Sequence, residues 1–127
     1  MRSRILVVDD HEAVLKSIAD LLAVEFDVVG TATDGQGMIS AAERLTPDVI
    51  VADIDMPGLS GIDATEAVLK SRPTQSVVFL TMHRNAGLVR RAFEIGARGY
   101  VHKQHAAEDL VPAIRCILEG GTFVSPR

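Results

Sequence analysis

The sequence predicts a doubly wound α/β domain: five parallel strands in one sheet, with helices on both faces. Three observations predict it. Short Val- and Ile-rich runs alternate with segments of helical period. Three of those runs are apolar at nearly every position, as strands covered on both faces must be. Repeated βα units leave a parallel sheet with right-handed crossovers as the regular solution. The 127 residues fit one domain, 1–127.

Ile5-Leu6-Val7-Val8 reads as a buried strand, and Val14, Leu15, Ile18, Leu21 and Leu22 as one helix face after it. Val28-Val29-Gly30-Thr31 is the second strand. Met38, Ile39, Ala42 and Leu45 follow at helical spacing, with Pro47 as the stop. Val49-Ile50-Val51-Ala52 is the third strand, and Ile62, Thr65 and Leu69 carry a helix closed by Pro73. Val77-Val78-Phe79-Leu80 is the fourth strand. Its helix carries Leu88, Val89, Ala92 and Phe93 and ends at Gly96. Gly99-Tyr100-Val101 is a short fifth strand. Leu110, Val111, Ile114, Ile117 and Leu118 form the last helix face, ended by Gly120-Gly121. Pro112 lies inside that pattern, either in a first turn or at a kink.

Composition narrows the function. Hydrophobic residues are 47% and charged residues 24% of the chain, as in a globular core-forming domain. A net charge of −4 gives no sign of a surface for nucleic acid or anionic membrane, which want clustered Lys and Arg. Cys116 is the only cysteine, which excludes an internal disulfide and Cys-pair metal sites. The basic start Met1-Arg2-Ser3-Arg4 resembles the opening of a secretory signal. The apolar run behind it is only four residues and ends in Asp9-Asp10. No stretch reaches the length of a membrane span. A cytoplasmic location with no membrane partner is expected.

Ligands of open parallel sheets bind beyond the carboxyl ends of the strands. There the sequence places Asp9-Asp10, Asp53, Thr81 and Lys103, after the first, third, fourth and fifth strands. Two like charges about 4 Å apart repel by roughly 4 kcal/mol at an effective dielectric near 20, so clustered carboxylates call for a cation. An all-oxygen set suits Mg²⁺, and the lack of Cys and of converging His pairs argues against zinc. A carboxylate can attack phosphorus, with a metal and an ammonium as electrostatic clamps. The Gly-x-x-x-x-Gly-Lys loop of ATP-binding proteins is absent.

The motifs Leu6-Val7-Val8-Asp9-Asp10-His11, Asp53-Ile54-Asp55-Met56-Pro57-Gly58-Leu59-Ser60-Gly61, Thr81 and Gly96-Ala97-Arg98-Gly99-Tyr100-Val101-His102-Lys103 come in one order. Together they resemble bacterial response-regulator receiver domains over nearly the whole chain. Glu108 to Phe123 is most similar to the NarL/FixJ type, which in full-length proteins a LuxR-like helix-turn-helix usually follows. The resemblance implies a flavodoxin-like strand order 2-1-3-4-5 and a phosphoacceptor at Asp53. It implies Mg²⁺ held directly by Asp10, with Asp53 and the backbone carbonyl of Asp55, and with Asp9 close by or acting through water. Thr81 and Lys103 would bind phosphoryl oxygens. Tyr100 would turn inward as Thr81 moves. Pro57, Gly58 and Gly61 would shape the loop after Asp53. The donor would be a sensor histidine kinase, and a phosphorylation-dependent homodimer would form through the first and last helices or through the fourth helix, fifth strand and last helix. DNA would be reached only through a helix-turn-helix absent from this chain.

Taken singly, Asp10 reads equally as a helix N-cap and Tyr100 as a half-buried strand aromatic. His11, His83, His102 and His105 read as solvated loop residues, and Arg84, Arg90 and Arg91 as a solvated helix face. Gln104-His105 and His83 depart from the commonest family pattern, with a consequence for phosphoryl lifetime or specificity. Three rivals compete. A haloacid-dehalogenase-type phosphatase would carry its Asp-x-Asp after the first strand, not the third. A flavin module would want hydroxyls where Asp9-Asp10 stand. The third rival, a receiver working as an unphosphorylated scaffold, would not need the motif residues this chain keeps.

Overall fold

The computed structural model describes residues 2–126; Met1 and Arg127, the outermost residues of the basic start and of the tail, lie outside them. The strands are β1 (Arg4–Val8), β2 (Asp27–Ala32), β3 (Val49–Ala52), β4 (Ser76–Thr81), β5 (Gly99–His102) and β6 (Phe123–Val124). The helices are α1 (Glu12–Ala23), α2 (Gly35–Leu45), α3 (Gly61–Ser71), α4 (Ala86–Glu94) and α5 (Ala106–Leu118), the last preceded by a 3-10 turn at Lys103–His105. All strand pairs are parallel, in the order β2-β1-β3-β4-β5-β6.

The expected five strands are therefore six, and the expected order gains a member at one edge. β6 pairs Gly99 with Phe123 and Tyr100 with Val124. Two residues after a Gly-Gly turn carry no period of their own, so only the vacant edge of β5 makes them a strand.

Alternation along the strands divides the core into two layers. Ile5, Val7, Val49, Val51, Val78, Leu80 and Val101 face α1 and α5. Leu6, Val8, Ile50, Ala52, Val77, Phe79 and Tyr100 face α2, α3 and α4. β1 is buried beyond Arg4, and β3 throughout, whereas β2 at the edge is half-exposed.

Helix ends follow local chemistry. Asp34 accepts from the Gly37 N–H, Ser60 from Asp63 and Asn85 from Gly87 and Leu88, each an N-cap. α2 stops at Thr46, whose φ of 43° precedes Pro47. Gly96 and Gly120 take φ of 109° and 92° just past α4 and α5. Pro112 is neither in the first turn nor at a break: it is the exposed seventh residue of α5, and the helix runs through it. Facing solvent, the Glu108 carbonyl that loses its donor there can turn to water.

Candidate functional site

The carboxyl ends of β1 and β3 lie side by side because Val8 pairs with Ala52. The ladder continues one residue further: the Asp53 N–H donates to Val8 O at 3.0 Å and the Asp9 N–H to Ala32 O at 3.1 Å. Those bonds fix the backbones of two acidic residues, both almost fully buried, at 3% and 5% exposure. Lys103 enters from the end of β5 and donates from Nζ to Asp9 Oδ2 at 2.8 Å and to Asp53 Oδ2 at 3.1 Å. One ammonium thus bridges two of the predicted site carboxylates.

Burial raises the Asp53 carboxyl above its ordinary value, and the adjacent Lys103 charge only partly offsets this. Burial works against the Lys103 ammonium too, but its hydrogen bond to Asp9 and the charge of Asp53 outweigh that and raise it.

Asp10 sits beside them with Oδ1 buried and no hydrogen-bond partner. A buried carboxylate oxygen without a donor is costly unless a cation takes the place of one. His11 Nδ1 lies 3.3 Å from that same atom and 3.6 Å from Asp9 Oδ1. Among the described residues, Asp9, Asp10 and His11 form a group whose ligand atoms lie within 4.8 Å of one another. The carboxylates opening on this edge fit a hard divalent cation. A cleft of about 290 Å³, lined by Asp10, Asp55, Pro57 and Ser60 among others, opens beside them.

The loop from β3 to α3 is closed tightly over Asp53. The Gly61 N–H donates to Ile54 O at 2.8 Å, and a Cβ on Gly61 would stand 2.0 Å from the Asp53 carbonyl oxygen. Gly58 adopts φ 77° in the same loop. The Asp55 N–H makes a long bond to Asp53 Oδ1, 3.4 Å, and its carboxylate turns outward to His83 Nε2.

The remaining predicted residues meet at His83. Its N–H donates to Thr81 Oγ1 at 3.2 Å, and its carbonyl accepts from the Tyr100 hydroxyl at 2.9 Å. Thr81 and Tyr100 are wholly buried. The inward place that the switch expectation gives Tyr100 after Thr81 moves is the one it occupies here. Burial, then the nearby Asp55 charge, pushes its hydroxyl up to about 12. Sequence reasoning counted His83 as a loop residue near a sensitive position. Its two backbone bonds carry no side-chain signal, so nothing in the sequence shows that it joins Thr81 and Tyr100. His102, read from the sequence as a solvated loop residue, is instead a buried residue at the end of β5, its ring 6.5 Å from that of His105, whose Nδ1 pairs with Glu108.

Residues 5–115 match the response regulator receiver domain family. The chain belongs to that family. It is a signalling domain of two-component systems, and its relatives are NarL/LuxR-type response regulators. It is 38% identical over 126 residues to the response regulator GacA of Pseudomonas aeruginosa, covering 98% of this chain and 59% of that protein. It is 32% identical over 126 residues to the transcriptional regulatory protein DegU of Brevibacillus brevis, covering 98% of this chain and 53% of that protein. The receiver thus spans a little over half the length of these curated relatives. A LuxR-family two-component response regulator from Aurantimonas superposes with a TM-score of 0.96 at 34% identity, over 99% of this chain and 91% of that one. The isolated receiver domain of RcsB from Salmonella enterica, solved with the phosphomimetic BeF₃⁻, gives 0.90 at 27% identity, over 99% and 95%. Among the described residues no helix is long and apolar enough to cross a membrane.

Proposed function

We propose that this receiver accepts a phosphoryl group on Asp53, from a phosphohistidine of a sensor histidine kinase, with Mg²⁺ bound at the carboxylate cluster. The observation that carries the reading is Lys103 Nζ set between Asp9 and Asp53 beside the unsatisfied Asp10 oxygen. In the transfer, an Asp53 Oδ forms the O–P bond while the P–N bond to the donor imidazole breaks, and the imidazole nitrogen keeps the electron pair. Asp10, Asp53 and the Asp55 carbonyl would hold the metal, with Asp9 close by or acting through water. When bound, Mg²⁺ neutralises charge on the phosphoryl oxygens and favours the ionised Asp53. Lys103 donates to one phosphoryl oxygen, and Thr81 to another once its hydroxyl leaves the His83 N–H. Tyr100 is the switch aromatic.

Output is proposed to run through a LuxR-type helix-turn-helix outside these residues, making the whole protein a cytoplasmic transcription regulator that dimerises on phosphorylation. The alternative is a stand-alone receiver. Two relatives bear on output: DegU is a transcriptional regulatory protein, and RcsB dimers have been solved on DNA. For a dimer, the α1–α5 side offers an open groove of about 670 Å³ lined by Val14, Ile18, Leu21, Met82 and Ala106 among others.

Incubation with Mg²⁺ and a small acyl phosphate, read by intact mass, tests the reading. One phosphoryl adduct is expected, lost in Asp53→Ala and with a chelator. A folded, Mg²⁺-loaded protein with no adduct would leave the scaffold reading in its place.

A further inference from the structure

Beyond α5 the chain turns at Gly120 and Gly121 and runs as β6 along the outer edge of β5. The Phe123 N–H donates to Arg98 O at 3.0 Å and the Ser125 N–H to Tyr100 O at 2.9 Å. Ser125 is only 4% exposed. Its Oγ accepts from the His102 N–H at 3.1 Å and donates to Asp109 Oδ2 at 2.8 Å. One buried hydroxyl therefore fastens three elements: β5, the end of β6 and the first turn of α5. Phe123 packs inward against the α1–α5 layer, whereas Val124 is 47% exposed, beside a groove it shares with Arg84, Ala86 and Val89 of the α4 side. A two-residue strand at a sheet edge has little else to hold it.

The fastening reaches the phosphoacceptor site in one step along the chain. His102, whose N–H the hydroxyl receives, directly precedes Lys103, whose Nζ bridges Asp9 and Asp53. We propose that Ser125 is the latch of a strap, β6, and that the strap loosens from β5 when Lys103 moves to a phosphoryl group on Asp53. The trigger rests on the phosphoacceptor reading above. New acceptor oxygens on Asp53 draw the ammonium away from Asp9, and the backbone carrying the His102 N–H shifts with it. The bond to Asp109 keeps Ser125 on α5, so the strap parts from β5 and uncovers the strand edge beside Tyr100. Ser125 is a positioning residue; it touches no reacting atom.

Residue-resolved amide hydrogen exchange on the 127-residue chain tests this, in Mg²⁺ with and without acyl phosphate, with the adduct read by mass in the same sample. On phosphorylation, the His102 and Ser125 amides are expected to exchange about fivefold faster or more, while those of Val7 and Val51 stay unchanged. Ser125→Ala should show the faster His102 exchange before any donor is added, give the normal adduct yield, and gain nothing further on phosphorylation. Asp109→Asn, which keeps an acceptor for the hydroxyl, should behave as the parent. If Ser125→Ala fails to fold, Asp109→Ala takes its place, with faster exchange expected at Ser125. A full adduct with unchanged exchange at His102 and Ser125 would overturn the trigger. Parent-like exchange in Ser125→Ala, or in Asp109→Ala, would overturn the latch. Absence of the adduct would remove the phosphoacceptor reading and the trigger together, and the variants would still decide the latch.

Discussion

At the amino end of the sheet, Arg4 gives its backbone N–H to Asp48 Oδ2 at 2.7 Å and its guanidinium to Thr46 O at 3.0 Å, both at the surface. At the carboxyl end, Lys103 reaches between two carboxylates that are almost wholly buried, next to a buried Asp10 oxygen that no hydrogen bond satisfies. The same sheet thus ends once in satisfied, water-screened polar groups and once in charges whose pairing is incomplete. Exposed ion pairs are worth little and cost little to lose. Buried ones cost several kcal/mol when one partner is removed. The difference teaches where the fold spends stability on readiness to react.

The sharpest way to break that contrast is Gly61→Ala. The new Cβ would stand 2.0 Å from the Asp53 carbonyl, a clash with backbone that cannot swing aside. The β3–α3 loop must move, and Asp53 with it. The expected outcome is loss of the phosphoryl adduct in the mass assay and a stability loss of about 3 kcal/mol or more in urea. Lys103→Ala comes next: it leaves Asp9 and Asp53 buried without their cation, which should cost about 3 kcal/mol in metal-free buffer, with part recovered in Mg²⁺. Arg4→Ala, at the other end, should cost no more than about 1 kcal/mol by the same measurement.

Asp53→Asn should act in the opposite direction and raise the melting temperature of the metal-free protein by a few degrees. Burial lifts the folded carboxyl above its ordinary 3.8, so the unfolded chain releases this proton first. This group's contribution to stability is therefore greatest below the unfolded value, falls as pH rises through the window between the two values, and is flat above it. The gap between the parent and Asp53→Asn should open across that window. A variant no more stable than the parent at neutral pH would show that Lys103 already compensates the burial. The smallest effect belongs to Arg115→Ala, which removes the exposed pair between α5 and Glu25. The Arg115 hydrogen bond holds Glu25 below its ordinary 4.5. Its stabilisation is present above that value and is lost as pH falls through the folded one, so the two melting curves should converge in acid.

The carboxyl-end half of this contrast is legible in the sequence, and the amino-end half is not. Ile5 to Val8 and Val49 to Ala52 declare buried strands by their unbroken apolar runs, and that placed Asp9, Asp10 and Asp53 together. Lys103 followed two residues past the short run Gly99-Tyr100-Val101, which the structure extends by one residue to His102. What stayed hidden depends on the backbone or on a neighbour. Phe123-Val124 is a strand only because β5 offers an edge. The links from His83 to Thr81 and Tyr100 are made by its main chain. Ser125 reads as a tail residue until Asp109 and His102 are brought around it. Pro112 is accommodated because it faces water, and orientation within a helix is settled by what packs on the other side.

Tyr100 has an optical consequence. The chain has no tryptophan, and this is its one tyrosine. The phenol that emits is also the phenol that donates to His83 O, wholly buried on β5 between β4 and β6. Intrinsic tyrosine emission from this chain therefore comes from one point, the ring hydrogen-bonded to His83 O next to Thr81, with no tryptophan to mask it. Adding a phosphodonor in a fluorimeter amounts to watching that one ring.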